Sequence, residues 1–339
     1  MGLTKVTAGV LAHHGRKNAI INGDFDIWQR GTTQTTAAID SDDRWFNSNF
    51  STTKVHSRQT FDLGQTDVPN NPQYYSRTVV SSVAGSSNYC VKYQKMEGVR
   101  AFSGQTVSVS FWAKADSNKD IATEFAQIFG TGGSPSAEIT GLSVTTHSLT
   151  TSWQKFTIAV SIPSISGKTL GTDGNDYCQL AFWFDAGSTF DARTNSLGQQ
   201  SGTFDIAQVQ IEKGSVATEF ERRTEGEELL LCQRYYQRLG GMSVFIGSGL
   251  CHSTSQWDVF VAYSIIMRTS PTLSTSNAAH LSVVNISGGG HLVSSITGYN
   301  INSYSCRMYG QASSGLNAGN GTMLYTNTAS GWIAFDAEM

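Results

Sequence analysis

Residues 204–241 read FDIAQVQIEKGSVATEFERRTEGEELLLCQRYYQRLGG. The stretch opens as a strand, with Phe204 and Ile206 alternating with Asp205 and Ala207, and passes through Gly214 into a helical pattern. Thr224 with Glu227 forms a capping box at the start of that helix. Glu225, Glu227 and Glu228 fall in its first turn and Arg234 and Arg238 in its last, which complements the helix dipole. Leu229, Cys232 and Tyr236 share one stripe, with Leu231 and Tyr235 beside it, and Gly240 and Gly241 stop the helix. A helix this short is unstable alone in water, so its apolar face must dock on its own domain or on a second copy of the chain. These five residues are the candidate domain junction and assembly surface. The stretch holds no catalytic grouping.

On the N-terminal side the pattern is short strands and turns. In Gln105–Lys114 (QTVSVSFWAK), Val107, Val109 and Phe111 occupy one face and Ser108, Ser110 and Trp112 the other. Trp153–Ile162, Cys178–Asp185 and Thr203–Ile211 repeat the theme. Strands at this spacing, without helical patterns between them, predict a β-sandwich and exclude βαβ units. After Met242 the strand pattern resumes to the end. The expected architecture is all-β: an N-terminal segment over residues 1–19 suited to attachment, a large β-sandwich over 20–223, a connecting helix over 224–241 and a smaller β-sandwich over 242–339.

Composition agrees with a packed β-protein. Of 339 residues, 39% are hydrophobic and 11% aromatic, while only 14% are charged against roughly 25% in ordinary soluble domains. Thirty-four glycines supply turns. A net charge of −3 with no basic block gives nucleic acid no footprint. No apolar run approaches the ~18 residues of a membrane span. The N-terminus lacks a signal-peptide core, so folding in a cytoplasm is expected. Five widely spaced cysteines, Cys90, Cys178, Cys232, Cys251 and Cys306, read as isolated buried thiols.

The search for chemistry returns little. Metalloprotease, nucleophile-elbow, Walker and dinucleotide motifs are missing from any strand–helix context, and the histidines are scattered. Asp24, Asp26, Asp42, Asp43 and Asp205 are the carboxylates a glycosidase would need, but spacing along a chain does not show whether two flank a sugar. Asp24, Asp26 and Asp205 also admit a structural calcium, the one cofactor the sequence suggests. Trp112 and Trp183 lie opposite the apolar alternation of their strands. Exposed, they would stack on sugar rings; the competing reading buries them against a partner sheet or the helix.

Four segments carry a family resemblance. They are Asn22-Gly23-Asp24-Phe25 running on to Arg30–Thr32, Asp43-Arg44-Trp45, the junction Gln210–Arg238, and a C-terminal set comprising Met267–Thr272 and Ile333–Met339. Together they resemble the tail-fibre and appendage proteins of tailed bacteriophages, whose jelly roll is similar to carbohydrate-binding modules. The resemblance implies a non-enzymatic virion protein, a homotrimer, joined to tail or head proteins through its N-terminal segment and touching host-surface glycans. It implies that Gly23 and Gly31 serve turns, that Trp28 and Trp45 pack the first sandwich and that Gly214 lets the chain leave the last strand. The stretch before the first sandwich is short beside the long shaft of many such fibres, so either a compact tip or appendage, or a shaft supplied by a partner protein, is expected. A head-decoration or adaptor role with protein contacts alone, and a polysaccharide-degrading enzyme, are the alternatives.

Overall fold

The computed structural model describes residues 17–285 and 288–339; the attachment segment expected over 1–19 lies almost wholly outside them. The chain divides into two compact units, one ending at Glu225 and one beginning at Gly226.

The first unit contains β1 (Thr33–Gln34), β2 (Trp45–Phe50), β3 (Thr53–Thr60), β4 (Tyr74–Ser81), β5 (Tyr89–Glu97), β6 (Thr106–Ala115), β7 (Lys119–Ile128), β8 (Ile139–Leu149), β9 (Gln154–Ser161), β10 (Tyr177–Ala186) and β11 (Gly202–Lys213). A single helical turn, α1 (Asp191–Thr194), stands between β10 and β11. One sheet runs β1-β3-β4-β11-β6-β9 and the other β2-β5-β10-β7-β8. Every pair is antiparallel. The predicted alternation holds: Val107, Val109 and Phe111 of β6 meet Leu180, Phe182 and Phe184 of β10 in one buried core. Trp45 and Phe25 stack within it, ring centres 5.4 Å apart.

The motifs that carried the resemblance act as a clamp. In β11 the register slips between Ala207 and Gln210, and Gln208 takes φ 48°, a bulge that turns Val209 toward the start of the chain. Val209 N donates to Gly23 O and Ala19 N to Ile211 O. Gly23 lies in the expected turn, which Phe25 N closes by donating to Asn22 O (3.3 Å), and a side chain there would also place Cβ 2.2 Å from Val209 O, so close approach requires glycine as well. The end of the unit closes over the same strap. Glu221 Oε2 accepts from Lys17 N (3.0 Å) and Asn18 N (2.7 Å), and Arg223 donates to Ile20 O (3.0 Å) and Asn18 O. Gly214, at φ 111°, lets the chain leave β11 as expected.

The second unit takes all but the first residue of α2 (Glu225–Gln233) and continues with β12 (Tyr236–Gly240), β13 (Phe245–Cys251), β14 (Gln256–Ala262), β15 (Thr272–Thr275), β16 (Leu281–Asn285), β17 (Gly290–Tyr299), β18 (Ser305–Ala312), β19 (Gly321–Thr326) and β20 (Trp332–Asp336). The all-β class stands, but this half closes β13-β14-β18-β17-β16-β19 into a barrel beside a sheet β12-β20-β15, where two open sheets were expected. Trp257 is the largest side chain of its core. The helix is also shorter than the sequence suggested. It ends at Gln233, and Tyr236–Gly240 pairs with Trp332–Asp336. Adjacent aromatic residues favour extended backbone, and the ladder to β20 satisfies the peptide groups. Arg234 and Arg238 therefore lie past the helix, and no basic residue occupies its last turn.

All five cysteines are buried free thiols. Among the described residues no helix is long and apolar enough to cross a membrane.

Candidate functional site

In the first unit the two candidate tryptophans separate. Each points away from the shared core, Trp112 from the six-stranded sheet and Trp183 from the five-stranded one. The sandwich stands between them, so they serve different surfaces.

Trp183 belongs to a groove on the outer face of the five-stranded sheet. Ala122, Ala181 and Ala186 give it a floor of small side chains, and Val91 lies beside them. Tyr89 and Tyr93 of β5 and Phe190 before α1 form half-buried walls. Phe46 stacks on Tyr93 at 4.9 Å with an interplanar angle of 7°, and Tyr89 meets Trp183 edge-on at 5.8 Å. Ser48, Gln179 and Arg193 add polar groups to the same cavity of about 210 Å3. Small residues on the central strands make the depression, and aromatic residues on their neighbours bound it.

Glu124 of β7 holds this arrangement from below. Its carboxylate accepts a two-point bond from Arg193 (2.7 and 2.9 Å), one from Trp183 Nε1 (3.0 Å) and one from Gly141 N (2.7 Å). The Arg193 guanidinium lies 5.0 Å from the centre of the Trp183 ring. The indole is only 3% exposed, so Trp183 is a fixed wall and the tyrosines present the accessible faces. Burial raises the Tyr93 phenol further above its ordinary value, which keeps it a neutral donor.

The carboxylates proposed for calcium or hydrolysis meet cations. Asp205 receives Arg77 Nε (2.7 Å) and Nη2 (2.8 Å), with Lys114 Nζ at 3.9 Å. Asp24 lies 3.6 Å from Arg222 Nε, and Asp26 lines a cleft of about 570 Å3 with Arg58, Arg222 and Arg223. Asp43 faces Gln29 and Arg30. Among the described residues no group of three or more His, Cys, Asp or Glu side chains is placed to hold a metal ion. Asp24, Asp26 and Asp205 therefore do not assemble as a ligand set: Asp205 is paired with Arg77 and Lys114, and Asp24 with Arg222.

The densest titratable cluster, which the sequence did not reveal, is sealed inside the sandwich. Asp42 bonds Lys92 Nζ, His56 Nε2 (3.0 Å) and Asn47 Nδ2 (2.9 Å), while Thr78 Oγ1 meets His56 Nδ1 at 3.2 Å. His56 and Thr78 come from one sheet and Lys92 and Asn47 from the other, so the network ties the sheets together. Burial works against the Asp42 charge, and His56 and Lys92 outweigh it, holding the carboxyl below its usual range. Burial lowers Lys92 to about 8, against the pull of Asp42.

Burial also lowers His56, and separately His147 beside Phe111, to about 4 from 6.5. Between those values the unfolded chain binds more protons than the fold, so stability falls as pH is lowered through that window. The expected slope is about 1.4 kcal/mol per pH unit for each histidine. Denaturant unfolding across pH should show it, with a shallower slope for His147→Gln. A flat profile would contradict neutral, buried imidazoles.

At the junction, Cys232, Tyr235 and Tyr236 are buried within one chain, while Leu229 and Leu231 are half-buried and Leu230 is 45% exposed. Tyr236 sits on β12, so it cannot share a helical stripe with Leu229 and Cys232. The tyrosines leave the candidate assembly surface, which keeps only its leucines.

No family model and no curated protein matches this chain. Among solved structures it is similar to a CBM4 protein, at 16% identity over 57% of this chain and 98% of the other, with a TM-score of 0.33. It is similar to a family 11 carbohydrate-binding module from Clostridium thermocellum in complex with a mixed-linked β-1,3-1,4 tetrasaccharide, at 11% identity over 55% and 98%, TM-score 0.32. It is also similar to the enzymatically active domain of tailspike protein 4 of bacteriophage CBA120, at 10% identity over 58% of this chain and 21% of that one, TM-score 0.34.

Proposed function

We propose that the protein binds glycan without chemistry, through the groove on the outer face of the five-stranded sheet, as a displayed appendage of a tailed-phage virion. The groove carries the reading. Tyr89 and Tyr93 offer ring faces to sugar C–H groups, and Ser48, Gln179, Arg193 and the phenol oxygens offer hydrogen bonds to hydroxyls. The first-unit segments that resemble phage appendage proteins build the clamp and the core, which supports a shared framework with a separate binding face. Homotrimeric assembly, a virion location and attachment through the N-terminal segment belong to the same proposal.

A glycan array followed by calorimetry tests the site. Tyr93→Ala should weaken the best glycan by about tenfold or more, while the fold is retained. Binding by no glycan, or equal binding by the variant, defeats the groove. The appendage role predicts that purified protein blocks phage adsorption and scatters light as a trimer.

A role in protein contacts alone has its own support. The outward positions of the barrel expose Phe245, Leu250, Phe260 and Met323, each 45% or more accessible. If no glycan binds and adsorption is not blocked, that reading takes precedence.

A further inference from the structure

We infer a second saccharide surface on the outer face of the six-stranded sheet, selective for sugars that carry a carboxylate. Tyr75, Phe61 and Trp153 form a compact aromatic group there, with ring centres 4.7–5.3 Å apart, and all three are half-exposed. Tyr75 and Trp153 meet edge to face at 85°, so their two ring planes bound a corner into which a pyranose can fit. Lys114 Nζ stands 5.1 Å from the Trp153 ring centre and 5.9 Å from that of Tyr75. Trp112, the second tryptophan singled out by alternation, lies on this face beside Lys155, its cross-strand partner.

Charge decides the ligand class. Arg77 and Lys114 pair with Asp205, Lys155 stands across from Trp112, and Asp62 acts on Tyr75, so these three cations outnumber the two carboxylates in an acidic protein. Asp205 takes Nε and Nη2 of Arg77 and so fixes the guanidinium plane, while Nη1 lies outside that pair. Arg77 Nη2 also reaches Tyr75 Oη at 3.3 Å, which locks the ring to the charge. An oriented guanidinium and an ammonium held over aromatic faces suit a uronate or sialate better than a neutral hexose. The core separates this surface from the groove of Trp183, so the two bind independently.

The full chain should be titrated with tri-galacturonate and sialyllactose, with galactotriose and lactose as uncharged controls, by tryptophan fluorescence and calorimetry. At least one acidic sugar should bind, about tenfold tighter than its control, and should weaken as salt is raised. The Lys114→Gln/Lys155→Gln variant should lose that preference while its unfolding midpoint stays unchanged. Trp153→Ala should lose binding, and Tyr93→Ala should keep it. The inference is overturned if neither acidic sugar binds, if the double lysine variant retains the preference, or if Tyr93→Ala alone removes binding. The last result would place the acidic sugar in the groove. Loss of neutral-glycan binding in Tyr93→Ala with acidic binding intact separates the two sites.

Discussion

Replacing Asp42 by Ala should lower the unfolding free energy by about 3–5 kcal/mol, because it strands a buried ammonium. The Lys92 and His56 side chains are 1% and 0% exposed, so neither finds water once the carboxylate is gone. The nearby rings of Phe25 and Trp45, each 5.4 Å from Lys92 Nζ, leave a cation–π attraction that is too weak to replace it. Adding Lys92→Met to Asp42→Ala should recover part of the loss, since the unpaired charge is then removed. A double-mutant cycle by urea unfolding measures the coupling. A cost for Asp42→Ala below about 1 kcal/mol would mean that water reaches the cluster.

Glu124→Ala should have the second-largest effect, about 3 kcal/mol, and should abolish glycan binding in the groove. Four donors lose their acceptor at once. Arg193, 30% exposed, can turn to solvent, but Trp183 Nε1 and Gly141 N are held in place. Without the carboxylate, the turn bearing Phe190 and Arg193 has no anchor on β7, and the wall it makes with Trp183 loosens. Glu124→Gln keeps the shape and loses the charge, so a smaller cost of about 1–2 kcal/mol is expected. Unfolding and glycan titration of both variants separate stability from binding. Undiminished binding by Glu124→Ala would show that the wall is not part of the site.

Alternation made the sandwich readable from sequence. The period of two in Thr106–Ala115 assigned Val107, Val109 and Phe111 to the core and sent Trp112 outward, because side chains on a strand have no third option. The same rule gave the outward face of Trp183, but not the turn that carries Phe190 and Arg193 over it. That turn is a local feature whose docking depends on Glu124, over sixty residues away in sequence. Pairing of Asp205 with Arg77 and Lys114 requires the register of three strands, which no local pattern encodes. Barrel closure was equally hidden, since β13 meets β19 across most of the second unit. The end of α2 is not legible locally, because Leu-Leu-Leu-Cys-Gln-Arg-Tyr-Tyr fits a helical stripe until a partner strand competes for its last residues.

The clamp between residues 17–23 and 209–223 has a mechanical consequence. Tension entering at Lys17 and leaving at Arg223 passes through the bonds of Glu221, Arg223 and Asn18 to their neighbours and meets the six-stranded sheet only at the end of β11. A protein pulled from those two points would yield first at the clamp, by parting a few polar contacts, while both outer faces of the sandwich keep their shape under load.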